Sequence, residues 1–154
     1  MNKLFFDQVL NNPAKWIIKG NSSIAKNKTL SFFCSVQCPA KLIIKAHDFA
    51  KQLAAQGETV ISGFHSPVEQ EALIMLLRGK QPIIIFPARS IKNYRIPVAW
   101  RPAYNSGRLL IISPFKNKRV TYDFGIKRNR LIAQLADAIF VSHAAPNSKT
   151  ESLC

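Results

Sequence analysis

A chain of 154 residues, 47% apolar and 19% charged, has a globular composition and room for one domain with a normal core and little else. Its 22 Lys and Arg against 8 Asp and Glu leave a net charge of +14, a field that concentrates polyanions by long-range attraction and counterion release. The longest apolar runs, such as Ile83–Phe86 and Leu109–Ile112, are too short to span a bilayer, and Leu4-Phe5-Phe6 is broken at once by Asp7 and Gln8. Neither a membrane span nor a secretory leader is expected, and the chain reads as cytoplasmic.

In chain order, residues 1–28 read as a short lead-in packed on the domain. Leu4, Phe5, Val9 and Leu10 share one side of a short helix, Asn12-Pro13 ends it, and Trp16-Ile17-Ile18 runs as a brief strand into Gly20-Asn21. From residue 29 onward, strands and helices alternate. Leu30–Cys34 has the apolar, aromatic character of a strand, and Leu42, Ala46, Phe49, Ala50 and Leu53 recur at helical spacing up to Gly57, a natural stop. Thr59–Ser62 is the next strand. Pro67 then sits in the first turn of a helix carrying Val68, Ala72, Leu73 and Leu76, which Gly79 ends.

Pro82–Phe86, nearly all isoleucine, reads as a strand buried on both faces. Pro87 to Gly107 is expected to be irregular, with three prolines among basic and aromatic residues. Leu109–Ser113 is a fourth strand, Arg128–Leu135 a helix and Ala138–Ser142 a fifth strand. Crossovers of this kind predict an α/β, Rossmann-like three-layer fold: a mainly parallel sheet with helices on both faces, over residues 29–154.

In such a sheet, ligands bind beyond the carboxyl ends of the strands. That rule selects Ser35, then Ser62, Gly63, His65 and Ser66, then Arg89, then Ser113 and His143. Arg128-Asn129-Arg130 reads as the opening of the helix before the last strand, where two guanidiniums oppose the helix dipole unless an anion is held there. Lys149 adds a cation beyond the fifth strand. Phosphate-binding candidates are therefore Ser35, Ser62, Gly63, His65, Ser66, Arg89, Arg128, Asn129, Arg130 and Lys149, with Phe64, Tyr94, Trp100 or Tyr104 as platforms for bases. Between Arg78 and Arg130, thirteen Lys or Arg face a single acid, Asp123.

Signatures of catalysis are missing from the sequence: it has no GxGxxG, no GxSxG and no HExxH. Ser148-Lys149-Thr150 resembles the end of a P-loop without its glycines. Glu69 with His65 is where hidden acid/base chemistry would sit. Cys34, Cys38 and Cys154 are odd in number, with no CxxC or His/Cys cluster, so neither a disulfide framework nor a zinc site is expected. The reading leans away from an enzyme, with no cofactor and no metal.

Asn12-Pro13 through Gly20-Asn21, Ser62-Gly63 with Glu71-Ala72-Leu73, Arg128-Asn129-Arg130 with Leu131-Ile132-Ala133, and the tail 145–152 follow one another at a spacing that resembles the Rossmann-like domain of the DNA-processing protein A (DprA/Smf) family. The resemblance implies a protein that binds single-stranded DNA and helps deliver it to a recombinase without a catalytic step, with Ser62, Gly63, Arg128, Asn129 and Arg130 on the phosphate rim. Four departures mark a compact, divergent relative. Cys34-Ser35-Val36 stands in place of the family's "GSR", so an arginine is missing. His65-Ser66-Pro67 replaces its "ARGID" in a segment about four residues shorter, 87–107 has its own character, and the chain stops soon after the fifth strand.

Two other readings stand beside this one. The first is a sensor or processing enzyme for a small nucleotide; the related phosphoribohydrolases' "PGGxGTxxE" is absent, and the chain has no Gly-Gly. The second is an adaptor that self-associates as a homodimer through a sheet edge or apolar face. No membrane partner is expected.

Overall fold

The computed structural model describes residues 7, 10–12 and 15–154; of the helix expected from Leu4, Phe5, Val9 and Leu10, the first three fall outside the described residues, and Leu10 is helical. Six strands form one sheet: β1 (Ile17–Gly20), β2 (Thr29–Phe33), β3 (Thr59–Ser62), β4 (Ile83–Ile85), β5 (Leu109–Ser113) and β6 (Ala138–Val141), in the spatial order β1-β5-β4-β3-β2-β6. β2 to β6 are parallel throughout. β1 alone runs antiparallel, with Ile17 opposite Ser113 and Gly20 opposite Leu110. The helices that flank it are α1 (Ala40–Gln56), α2 (Pro67–Arg78), the short α3 (Arg101–Asn105) and α4 (Tyr122–Leu135).

The strand alternation sorts the core into two layers, because successive side chains point to opposite faces. Phe32, Val60, Ile83, Ile85, Leu109 and Ile111 pack with α1 (Ala46, Ala50, Leu53) and α2 (Val68, Ala72, Leu76) on one face. Phe33, Ile61, Ile84, Leu110 and Ile112 pack with Ile132 and Leu135 of α4, Trp16, and Ile24 of a 3-10 turn at Ser22–Lys26 on the other. The expected mainly parallel, three-layer α/β sheet is the one observed, and β4 is buried along its whole length as its isoleucines require.

Local chemistry sets the helix ends. Gly57 closes α1 at φ 73, a left-handed conformation that costs glycine little. Ser66 and Glu69 make a reciprocal capping box at the start of α2, with Pro67 in its first turn. α4 corrects one expectation: it starts at Tyr122, not at Arg128. Thr121 is its N-cap, accepting from the Phe124 N–H, and Asp123 lies in the first turn, where a negative charge suits the dipole. Arg128 and Arg130 are therefore mid-helix residues and do not oppose an N-terminus. The connector 87–107 is likewise not wholly irregular: a 3-10 turn at Val98–Trp100 leads into α3, with Pro102 in its first turn.

Candidate nucleic-acid interface

The parallel strands reverse their direction of growth at β2, which has β3 on one side and β6 on the other. After β2 and β3 the chain turns to α1 and α2 on one face, while the segment after β6 reaches the other through Leu153, so a crevice opens between β2 and β6 beyond their carboxyl ends. A cleft of about 390 Å³ lies there, lined by the loop after β2 (Cys34–Gln37), the start of α2 (His65, Ser66, Glu69), α4 (Tyr122, Arg128, Asn129) and the segment Ala145–Thr150.

Glu69 forms the floor. It is 4% exposed, yet its carboxylate has donors on both oxygens: Oε1 accepts from the His65 and Ser66 N–H groups at 2.9 and 3.1 Å, and Oε2 accepts from the Cys34 N–H at 3.0 Å. One side chain thus ties the turn after β2 to the turn after β3. The two N–H groups that lead into α2 are held by this internal anion, and the Glu69 N–H in its first turn donates to Ser66 Oγ. Burial pushes the Glu69 carboxyl above its usual range, against the opposing pull of those N–H bonds and of the Arg128 charge.

Arg128 makes the wall above it. The side chain is 3% exposed; Nε donates to Asn129 Oδ1 at 2.7 Å, and among the described residues the two terminal nitrogens carry no protein hydrogen bond. The guanidinium lies against Gly63, in space that a Cβ there would occupy. Burial draws its pKa down, while the Glu69 charge holds it up. Lys149 lies with its stem against Gly125 of α4 and its Nζ 5.9 Å from the centre of the Tyr122 ring. Burial and the neighbouring Arg128 both lower its pKa, with Glu69 opposing. His65 at the lip is lowered by burial, then by Lys149 and Arg128.

Burial lowers the pKa of Arg128, burial and Arg128 that of Lys149, and burial and both cations that of His65. An anion beside them acts in the opposite direction.

Among the residues expected from sequence, the cleft gathers Ser35, His65, Ser66, Arg128, Asn129 and Lys149 on its walls, with Gly63 behind Arg128. The hydroxyls are engaged in structure. Ser35 Oγ donates to the Gln37 carbonyl and accepts from the Ala145 N–H, Ser62 Oγ accepts from the Phe64 N–H, and Ser66 Oγ caps α2. Arg130 is exposed on α4 and does not line the cleft, and Arg89 lies beyond β4, its guanidinium 5.4 Å from the centre of the Tyr94 ring.

Of the candidate base platforms, Phe64 is buried at φ 49, while Tyr94, Trp100 and Tyr104 are partly buried against the α1/α2 core layer. Gln37, Tyr122 and Asn147 line the cleft without having been singled out from sequence. The Pro146-Asn147 pair was the available signal for the last of them, since Asn147 adopts the left-handed φ of 62 that such a turn uses.

A family model described as DNA recombination-mediator protein A matches residues 4–151. The chain belongs to this family. No curated protein matches it. Among solved structures, DNA processing protein A from Streptococcus pneumoniae superimposes with a TM-score of 0.69 at 18% identity, covering 87% of this chain and 48% of that one. The Helicobacter pylori protein, whose structure concerns its single-stranded DNA binding mode, gives 0.71 at 20% identity, covering 96% of this chain and 68% of that one. The chain thus spans about half of the pneumococcal protein and about two thirds of the H. pylori chain. At these identities the likeness establishes the fold. No helix among the described residues is long and apolar enough to cross a membrane.

Proposed function

We propose that this family member binds single-stranded DNA in the cytoplasm, seating a phosphate in the cleft at the β2/β6 switch point, as a non-catalytic step of DNA recombination or uptake. The observation that carries the reading is the Arg128 guanidinium. It is buried at the wall of the cleft, held through Nε by Asn129, and has both terminal nitrogens without a hydrogen-bond partner among the described residues. A guanidinium fork held that way suits two oxygens of one phosphate. Lys149 adds a second cation to the lining, against Gly125 of α4, and His65 stands at the lip. Glu69 serves as the internal anion that fixes the floor; its three N–H bonds leave it engaged in structure, which supports a binding role over acid/base chemistry.

A second reading, a nucleotide sensor, is favoured by one observation: the cleft, at about 390 Å³, has room for about one nucleotide. Equilibrium binding of a labelled single strand across a salt series, beside matched duplex and mononucleotide, separates the two. Strand binding that falls steeply with salt supports the DNA reading; a response to one mononucleotide with no strand binding supports the sensor. A recombinase partner and a homodimer belong to the same proposal as downstream associations of the DNA-bound protein.

A further inference from the structure

The loops after β4 and β5 lie on the same rim as the cleft, since all carboxyl ends of the parallel strands point one way. They are knitted together. The Ser90 N–H donates to the Asn117 carbonyl at 2.7 Å, Ser113 Oγ donates to the Arg89 carbonyl, and Ser90 Oγ accepts from the Lys92 N–H. On this joined surface Lys92, Lys116, Lys118 and Arg119 are exposed, and Arg89 is fixed over Tyr94. The sequence places no Asp or Glu between Glu71 and Asp123. Neighbouring strands lie about 4.8 Å apart, so the end of β5 is about 14 Å from that of β2. A single strand spans that distance with a few nucleotides.

We infer that the joined β4 and β5 loops form a second contact for the same polyanion: a single strand seated in the cleft continues across the end of β3 onto Arg89, Lys118 and Arg119. This rests on the proposed phosphate seat at Arg128, and deepens it by assigning the path of the flanking backbone. The two contacts differ in what they recognise. The cleft takes one nucleotide unit, while the rim takes only the charge of a chain long enough to reach it. Its contribution therefore vanishes for a mononucleotide and grows with length to a plateau.

The test compares thymidine 5′-monophosphate with thymidylate oligomers of increasing length, on the wild type and on Lys118→Ala/Arg119→Ala. A control, Arg78→Ala/Lys80→Ala, removes the same charge at the opposite pole, where α2 ends. The rim variant is expected to bind the mononucleotide like the wild type, and to lose about tenfold in affinity for the longer oligomers. Its salt slope should be shallower by about one to two. The polar control should change the long-oligomer affinity by less than about threefold, and melting curves should show all three proteins folded. Unchanged oligomer binding by the rim variant overturns the inference, as does an equal loss in the control, which would make net charge the cause. A wild type that binds neither mononucleotide nor oligomer overturns the Arg128 seat itself, an outcome distinct from loss of the rim alone.

Discussion

Gly63 and Arg128 are fitted to each other: the guanidinium lies where any side chain at residue 63 would begin. The φ of Gly63 is not positive, so the glycine is required by this close approach and not by backbone conformation.

Gly63→Ala is accordingly expected to push the guanidinium out of its place, at a cost of about 1–3 kcal/mol in stability, and to weaken anion binding. Because both changes act through one contact, Gly63→Ala and Arg128→Ala should be non-additive in binding. The double variant should bind about as weakly as Arg128→Ala alone. A titration of the four proteins with one labelled oligonucleotide reads this directly; two independent losses would separate the residues.

Glu69 gives a stability prediction with a definite sign. Its folded-state pKa lies above the ordinary carboxylate value because of burial, so the folded state binds more protons than the unfolded one between the two values. Ionisation therefore works against folding as pH rises through that window. Glu69→Gln should flatten this part of the pH profile of thermal stability relative to the wild type. The substitution also turns an NH2 group toward a backbone N–H, costing about 1–3 kcal/mol overall. Parallel melting curves from acid to neutral pH are the check, and identical slopes in the two proteins would show that Glu69 does not titrate this way.

His65 links binding to protons. In the free protein its pKa is lowered by burial, Lys149 and Arg128; a bound phosphate removes much of the repulsion and raises it. The complex then binds more protons, and affinity should rise as pH falls through the window between the lowered free value and the raised bound one. Calorimetry in buffers of different ionisation enthalpy should show proton uptake, absent in His65→Gln.

Cys34 is buried beside Cys38, and burial first, then that neighbour, pushes its thiol up to about 12. Native alkylation near pH 8 should modify the exposed Cys154 and leave Cys34 untouched, since the thiolate is the reactive form. Peptide mass analysis after labelling decides it.

The legible part of the fold was whatever rests on local pattern. Thr59–Ser62 and Leu109–Ser113 are bounded by turn residues and alternate cleanly between the two core layers. Gly57 and Pro67 mark helix ends by their own backbone restrictions. The start of α4 was obscured because Tyr122, Asp123 and Phe124 do not show a helical apolar repeat; the Thr121 cap was the only local mark. The site was legible as a rim, through the rule about strand ends, but not in its division of labour. Arg128 and Arg130 are two apart on a helix and so point to different sides, which a shared place on the rim does not reveal. That Glu69 also holds the Cys34 N–H after β2 depends on a contact between residues 35 positions apart, which no local pattern carries.

The most direct test of the account is single-stranded DNA affinity across a salt series for the wild type, Arg128→Ala and Arg130→Ala. Steep salt dependence is expected in the wild type, with a loss of at least about tenfold for Arg128→Ala, the size of a charged hydrogen bond of about 1.5–3 kcal/mol. For the exposed Arg130→Ala a change of less than about threefold is expected. Arg128→Ala binding as tightly as the wild type, in a folded protein, would contradict the claim that this cleft is where the phosphate sits.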